Sequence, residues 1–324
     1  MKRRDFIILM GGAAARPVAA RAQRSSMAVV GYLSSSSEAA DTKVFGEVKK
    51  GLAEQGFVEG NNVSFLSHWS EGDYSRLEAL AADLITRKAN VLVTSGLPAT
   101  LAAKHVTTTV PIVFRFAVDP VAHGLVQSFD RPGGNLTGAT TLFDPLTPKK
   151  LQLLQELVGK GSIGFMVNPK NPNVSSHLAH ADTAVKALGL HLTTVKASSP
   201  EEIEPAFASA RRQSAAAMLL GDDPLFFARK GEVIRAAASH RMPTMYYVRD
   251  FADAGGLISY GPRFDEMARH TGRYAGRILS GAKPADLPIM QPTRFELVIN
   301  LKTARAQGIA IPATLQASAD ETIE

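Results

Sequence analysis

Short apolar runs that break into small-residue turns and restart as helices recur along this chain, and that alternation leaves few folds open. Its clearest instance is Asn90 to Lys104, NVLVTSGLPATLAAK. Asn90 to Thr94 is apolar and β-branched over a run too short for a helix, so it reads as a buried strand. Ser95 and Gly96 make the turn. Pro98 suits the first helical position, where no N–H is needed, and Ala99 to Lys104 has strong helix propensity. The N–H groups of that helix start, with the hydroxyls of Ser95 and Thr100 beside them, are predicted to receive a carboxylate or another electron-rich group.

The same grammar runs before and after this stretch. Met27 to Leu33 is a strand followed by the polar turn Ser34 to Ser37; with only Gly31 ahead of the serines, it lacks the G-x-G-x-x-G of a dinucleotide loop. An amphipathic helix over Thr42 to Gln55, a strand over Val63 to Trp69 and a helix over Tyr74 to Arg87 come next. Pro111 to Phe116 is a strand ending in Asp119-Pro120, where Asp119 is open to two roles, capping a short helix or touching a ligand. Leu136 to Thr141 is a strand that leaves the first lobe.

A second run begins at Pro148. Strands are predicted over Ile163 to Val167, Leu190 to Val195, Ala215 to Leu220, Pro243 to Val248 and Gly256 to Tyr260. Helices are predicted over Val174 to Leu188, Pro200 to Arg212 and Leu225 to His240. Gly221-Asp222-Asp223-Pro224 repeats the strand, turn, cap and proline logic. A helix over Asp265 to Ser280, a linker carrying Pro284, Pro288 and Pro292, a strand over Glu296 to Asn300 and a helix near Leu301 to Gln307 follow a second sheet read as already complete. The expectation is an α/β chain of two doubly wound, mostly parallel-sheet lobes. Lobe 1 takes 27–141 plus about 262–284 and lobe 2 takes 142–261 plus about 292–324. Hinge crossovers are placed around Thr140 to Pro145, Tyr260 to Arg263 and Ala282 to Phe295. Ligands of such sheets bind at the carboxyl ends of the strands, here in the cleft between lobes.

Composition narrows function further. With 324 residues and 45% hydrophobic content, the chain has the length for two medium domains with real cores. Cysteine is absent, which excludes disulfides, thiolate metal sites, a cysteine nucleophile and a lipid anchor on cysteine. Residues 1–22 stand apart: Lys2-Arg3-Arg4 precedes an apolar run from Phe6 to Ala15 and a closing Ala20-Arg21-Ala22, which resembles a twin-arginine export signal. That leader holds five of the 36 basic and one of the 30 acidic residues, so the remainder stands near +2 and gives no reason to expect nucleic acid.

From Asp119-Pro120-Val121 and Arg131 to Gly138, RPGGNLTG, through Gly255 to Gly261, GGLISYG, and Gln291 to Ala304, QPTRFELVINLKTA, the chain resembles the substrate-binding proteins of bacterial ABC transporters. The likeness is to the family that includes tryptophan- and other aromatic amino acid-binding members, over about residues 27 to 324. It implies a type I periplasmic binding-protein fold, a ligand closed between two lobes, and delivery to a membrane permease driven by a separate ATPase. A periplasmic monomer without cofactor is expected. Carried over by position, ligand contacts come from Ser34 and Ser35, from Ser95, Gly96 and Thr100, from Phe116 and Asp119, and from Thr140 and Thr141. Lobe 2 contributes Asn168, Asp222, Asp223, Tyr246 and Tyr260.

An amino-acid ligand needs donors for its carboxylate, met here by Ser95, Thr100 and nearby amides, and an acceptor for its ammonium, met by Asp119, Asp222 or Asp223. Tyr246, Tyr247 and Tyr260 are candidates for stacking on a flat ligand. An aromatic or branched carboxylate is expected to fit best. His177 and His180 lie three apart on a predicted helix, but no further ligand stands at metal spacing, so they read as a solvated face. H-E-x-x-H, G-x-S-x-G and P-loop motifs are absent from the sequence. The alternatives kept open are a periplasmic ligand-sensing domain serving a receptor and, behind it, an α/β enzyme.

Overall fold

The computed structural model describes residues 27–324; the twin-arginine reading of residues 1–22 falls outside them. The first sheet comprises β1 (Ala28–Ser34), β2 (Val63–Trp69), β3 (Val91–Ser95), β4 (Ile112–Phe116) and β5 (Leu136–Thr140), all parallel, in the order β2-β1-β3-β4-β5. The second comprises β6 (Ser162–Val167), β7 (His191–Lys196), β8 (Ala215–Leu220), β9 (Thr244–Tyr246), β10 (Ile258–Gly261), β11 (Glu296–Asn300) and β12 (Glu321–Ile323), in the order β12-β11-β10-β9-β8-β6-β7. Helices cover both faces of each sheet, which is why central strands such as VLVTS in β3 are buried throughout and show no polar alternation. The core accordingly lies in layers on either side of each sheet.

The chain passes between sheets between β5 and the Thr147–Val158 helix, between β10 and the Phe264–Leu279 helix, and again on the way to β11. The first passage contains Leu142 at φ 52°, a left-handed residue at the exit from the first sheet. After β10 the chain returns to the first sheet, where Ala268, Tyr274 and Ala275 pack with Val30, Tyr32 and Val44. The Phe264–Leu279 helix lies tightly on the Glu38–Ala53 helix because glycines face each other: a Cβ on Gly272 would run into the Val48 carbonyl oxygen, and one on Gly51 into that of Arg269. Arg269 Nη2 reaches Glu47 Oε2 at 2.8 Å beside this contact.

Several expectations change. The second sheet is not finished at Tyr260, because β11 adds to β10 antiparallel and β12 adds to β11. The helix predicted over Leu225 to His240 is two pieces, Pro224–Ala228 and Lys230–Ser239, broken where Arg229 takes φ −107° and ψ 26°. After Asp119 there is a turn rather than a short helix, held by Val121 N and Ala122 N donating to Asp119 Oδ1 at 2.8 and 3.2 Å.

Candidate functional site

The turns after the strands of the two sheets face each other across a cavity of about 70 Å³. The first lobe lines it with Ser36, Asp41, Ser95 to Pro98 and Arg115 to Val118; the second with Asn171, Asp222 to Pro224, Phe227 and Tyr247. Phe143 and Phe264 enter from the crossover segments. Aromatic side chains therefore make much of the wall, and Phe143 and Tyr247 pack together at a ring-centroid distance of 5.5 Å. Gly96 is part of the fit between lobes: its φ of 96° suits glycine, and a Cβ there would sit 2.9 Å from Ser35 Oγ and 3.1 Å from Pro224 Cγ.

Arg115 is the cation of this wall. The parallel register sets it beside Ser95, whose Oγ accepts from Arg115 Nη2 at 2.6 Å. Its guanidinium lies 4.7 Å from the Phe264 ring centre and 3.7 Å from Asp41 Oδ1, and the residue is only 8% exposed. A buried guanidinium needs such partners, since transfer out of water is costly for an unpaired charge. Asp41 is wholly buried; its Oδ2 accepts from Tyr32 Oη at 2.5 Å, while Oδ1 has no hydrogen-bond partner. Burial, and then the Asp41 charge, push the Tyr32 phenol well above its usual range. Ser36 Oγ is also buried without a partner at this wall.

Across the gap, Asp223 and Asp222 differ sharply although adjacent. Asp223 Oδ1 accepts from Tyr74 Oη at 2.7 Å, Asn168 Nδ2 at 3.0 Å and Leu225 N at 2.8 Å, while Oδ2 accepts from Asn171 Nδ2 at 2.7 Å. It caps the Pro224–Ala228 helix and is saturated; burial nonetheless leaves its carboxyl above the usual range. Tyr74 belongs to the first lobe, so this carboxylate also ties the lobes together, as does His123 Nε2 at 3.1 Å from Asn173 Oδ1. Asp222 keeps a partly open side chain, with Oδ1 3.0 Å from His177 Nε2. That approach is off line for a hydrogen bond, and the contact is an ion pair.

Behind Asp222 lies a small second pocket holding Asp144, Lys150 and His177. Lys150 sits 4.6 Å from the Phe143 ring centre, and burial brings it down to about 8 against the pull of Asp222 and Asp144. Burial also depresses His177, but Asp222 and then Asp144 outweigh it and leave the imidazole raised. The solvated-face reading of His177 therefore fails, because the side chain is buried toward the acidic residues of lobe 2.

Of the residues predicted for the site, the structure brings Ser95, Gly96, Phe116, Asp222 and Asp223 to the cavity wall, but not the others. Ser34 Oγ accepts from Ser36 N, and Ser35 Oγ accepts from Ala99 N. The second bond removes part of the anion site expected at the helix start, since Pro98 has no N–H and Thr100 N closes on Gly96 O. Thr100 Oγ1 is turned inward, 2.8 Å from Thr94 Oγ1. Asp119 is used by its own turn. Thr140 Oγ1 donates to Val118 O and Thr141 Oγ1 to Met267 Sδ. Asn168 supports Asp223 from behind the wall. Tyr246 is stacked on Phe251 in the core, and Tyr260 lies along β10 near Phe295; Tyr247, one residue on from Tyr246, is the tyrosine at the cavity. Arg115 and Asp41 were not predicted. An arginine inside the otherwise apolar PIVFRF was the available signal, because a charge in a buried strand must have partners.

Comparison with known proteins agrees with this architecture. The model of a family described as ABC transporter substrate binding protein matches residues 26–323. The tyrosine-binding protein of Clostridioides difficile (strain R20291) is 23% identical over 258 residues, 79% of this chain and 74% of that protein. A conserved domain protein from Vibrio cholerae superposes with a TM-score of 0.85 at 25% identity, covering 92% of this chain and 100% of that one. An ABC domain in complex with L-Trp from Streptococcus pneumonia superposes at 0.82 with 24% identity and the same coverage.

Proposed function

Because the chain belongs to the ABC transporter substrate-binding protein family, with the two-lobed α/β fold of type I periplasmic binding proteins, we propose that it captures an amino acid or other small carboxylate, aromatic ones included, for an importer. The observation that carries this reading is the cavity closed between the lobes, where aromatic walls surround one buried guanidinium. The names of the relatives, one tyrosine-binding and one holding L-Trp, point to the same class. In this reading the lobes move about the crossover segments, close on the solute and expel water, and a permease with its ATPase takes up the loaded form. Export to the periplasm is part of the proposal and is supported by the leader sequence and by family membership; among the described residues no helix is long and apolar enough to cross a membrane. The protein acts as a monomer and returns its ligand chemically unchanged.

Mass spectrometry of small molecules released on denaturing the purified protein, followed by calorimetric titration of ligand-stripped protein, tests this. A small carboxylate recovered intact, binding at one site per chain, is expected. Binding confined to sugars or cations, or conversion of the bound molecule, would overturn it.

A further inference from the structure

Resting on that reading of the cleft, we infer that Arg115 and Asp222 are its specificity-determining pair: the ligand is an amino-acid zwitterion whose carboxylate is received by Arg115 and whose ammonium is received by Asp222. The assignment comes from which groups at the wall still have capacity. Arg115 is the only lysine or arginine lining the cavity among the described residues. Its Nη2 is used by Ser95, and neither Nε nor Nη1 has a hydrogen bond among the described residues, so an edge of the fork remains for a carboxylate. Stacking on Phe264 and the bond to Ser95 fix the plane of that fork before a ligand arrives.

The acceptor follows by the same accounting. Both oxygens of Asp223 are taken, by donors from Tyr74, Asn168, Asn171 and Leu225. Asp41 is fully buried, gives one oxygen to Tyr32 and turns the other toward Arg115. Asp222 lines the cavity with one oxygen paired to His177 and the second without a hydrogen-bond partner among the described residues. Asp41 pairs with Arg115 in one lobe, and His177 with Asp222 and Asp144 in the other, so neither Arg115 nor Asp222 is an isolated buried charge before a ligand arrives. Since Arg115 stands on β4 and Asp222 follows β8, such a ligand joins the lobes through its own two charges, and its binding and the closure become one event.

Ligand-stripped full-length protein is first screened by thermal shift against the twenty common amino acids. The tightest binder is then compared calorimetrically with its C-terminal amide and its desamino acid, on wild type, Arg115→Gln, Arg115→Lys and Asp222→Asn. Each ligand truncation is expected to weaken binding to wild type on the order of 10- to 100-fold, the worth of a charge-assisted hydrogen bond. The acid-to-amide ratio should collapse toward one in Arg115→Gln, and the amino-to-desamino ratio in Asp222→Asn. These ratios compare ligands on the same folded protein, so a merely structural role would leave them as in wild type and sink the inference; Arg115→Lys and the wild-type arm carry the test if Arg115→Gln does not fold. Tight binding of the desamino acid to wild type, or release of a simple carboxylate with no amino acid bound in the screen, would overturn the zwitterion while leaving the capture of small carboxylates standing. Failure of every carboxylate would instead remove the reading on which it rests.

Discussion

His177 shows how one buried side chain can take on a meaning its neighbours in sequence do not suggest. Its imidazole is held above the ordinary 6.5 because Asp222 and Asp144 outweigh the desolvation that pulls it down. A base with a raised folded pKa contributes its full stabilisation below the unfolded pKa and loses it as pH climbs through the folded value. Replacing His177 with Asn should therefore lower the Tm of ligand-free protein most near pH 6 and progressively less at alkaline pH, about where both states are neutral. A difference that widens with pH would contradict the pairing. Asp119 makes the opposite case: the sequence left it open between capping a short helix and touching a ligand, and in the structure its carboxylate is used by its own turn, accepting from Val121 N and Ala122 N.

Among the elements, the pairing of the Glu38–Ala53 and Phe264–Leu279 helices matters most, because it returns the chain to the first lobe and delivers Phe264 to the cleft. The contact is backbone on backbone through Gly51 and Gly272. An alanine at 272 meets a carbonyl oxygen that cannot rotate away, so Gly272→Ala is expected to cost about 1–3 kcal/mol by overpacking, read as a lowered denaturant midpoint with unchanged slope. A midpoint equal to wild type would mean the helices can separate without penalty. Sequence reasoning placed this helix well, since its apolar period is local, but the glycines meaningful to its packing are recognisable only once a partner helix is known.

Over the whole molecule, the lobes are joined not only by the crossovers but by Tyr74 donating to Asp223 across the gap. Tyr74→Phe keeps the ring and removes the hydroxyl, leaving Asp223 Oδ1 with its bonds from Asn168 and Leu225. Weaker ligand binding, by about tenfold or more, and a larger radius of gyration of the ligand-free protein in solution scattering are expected, because the lost bond is to a charged acceptor and favours only the closed arrangement. Unchanged affinity and unchanged scattering would assign closure to the crossovers alone.

The sequence by itself determined the βα alternation, the two mostly parallel sheets, the Asp223-Pro224 cap and the strand-to-turn junctions at Ser95-Gly96 and Asp222-Asp223 that line the cavity. These depend on neighbours along the chain: short apolar runs, a proline without an N–H, a glycine with φ above zero. Tertiary structure alone decided which polar groups remain available at the cavity. Ser35 takes the Ala99 N–H that the sequence assigned to a ligand, and Asp223 is consumed by partners from both lobes. Arg115 gains its place from the register of β3 against β4 and from an aromatic ring carried in by a helix far along the chain. A side chain's spare hydrogen-bonding capacity is what remains after long-range partners are satisfied, and that remainder is not written in local spacing.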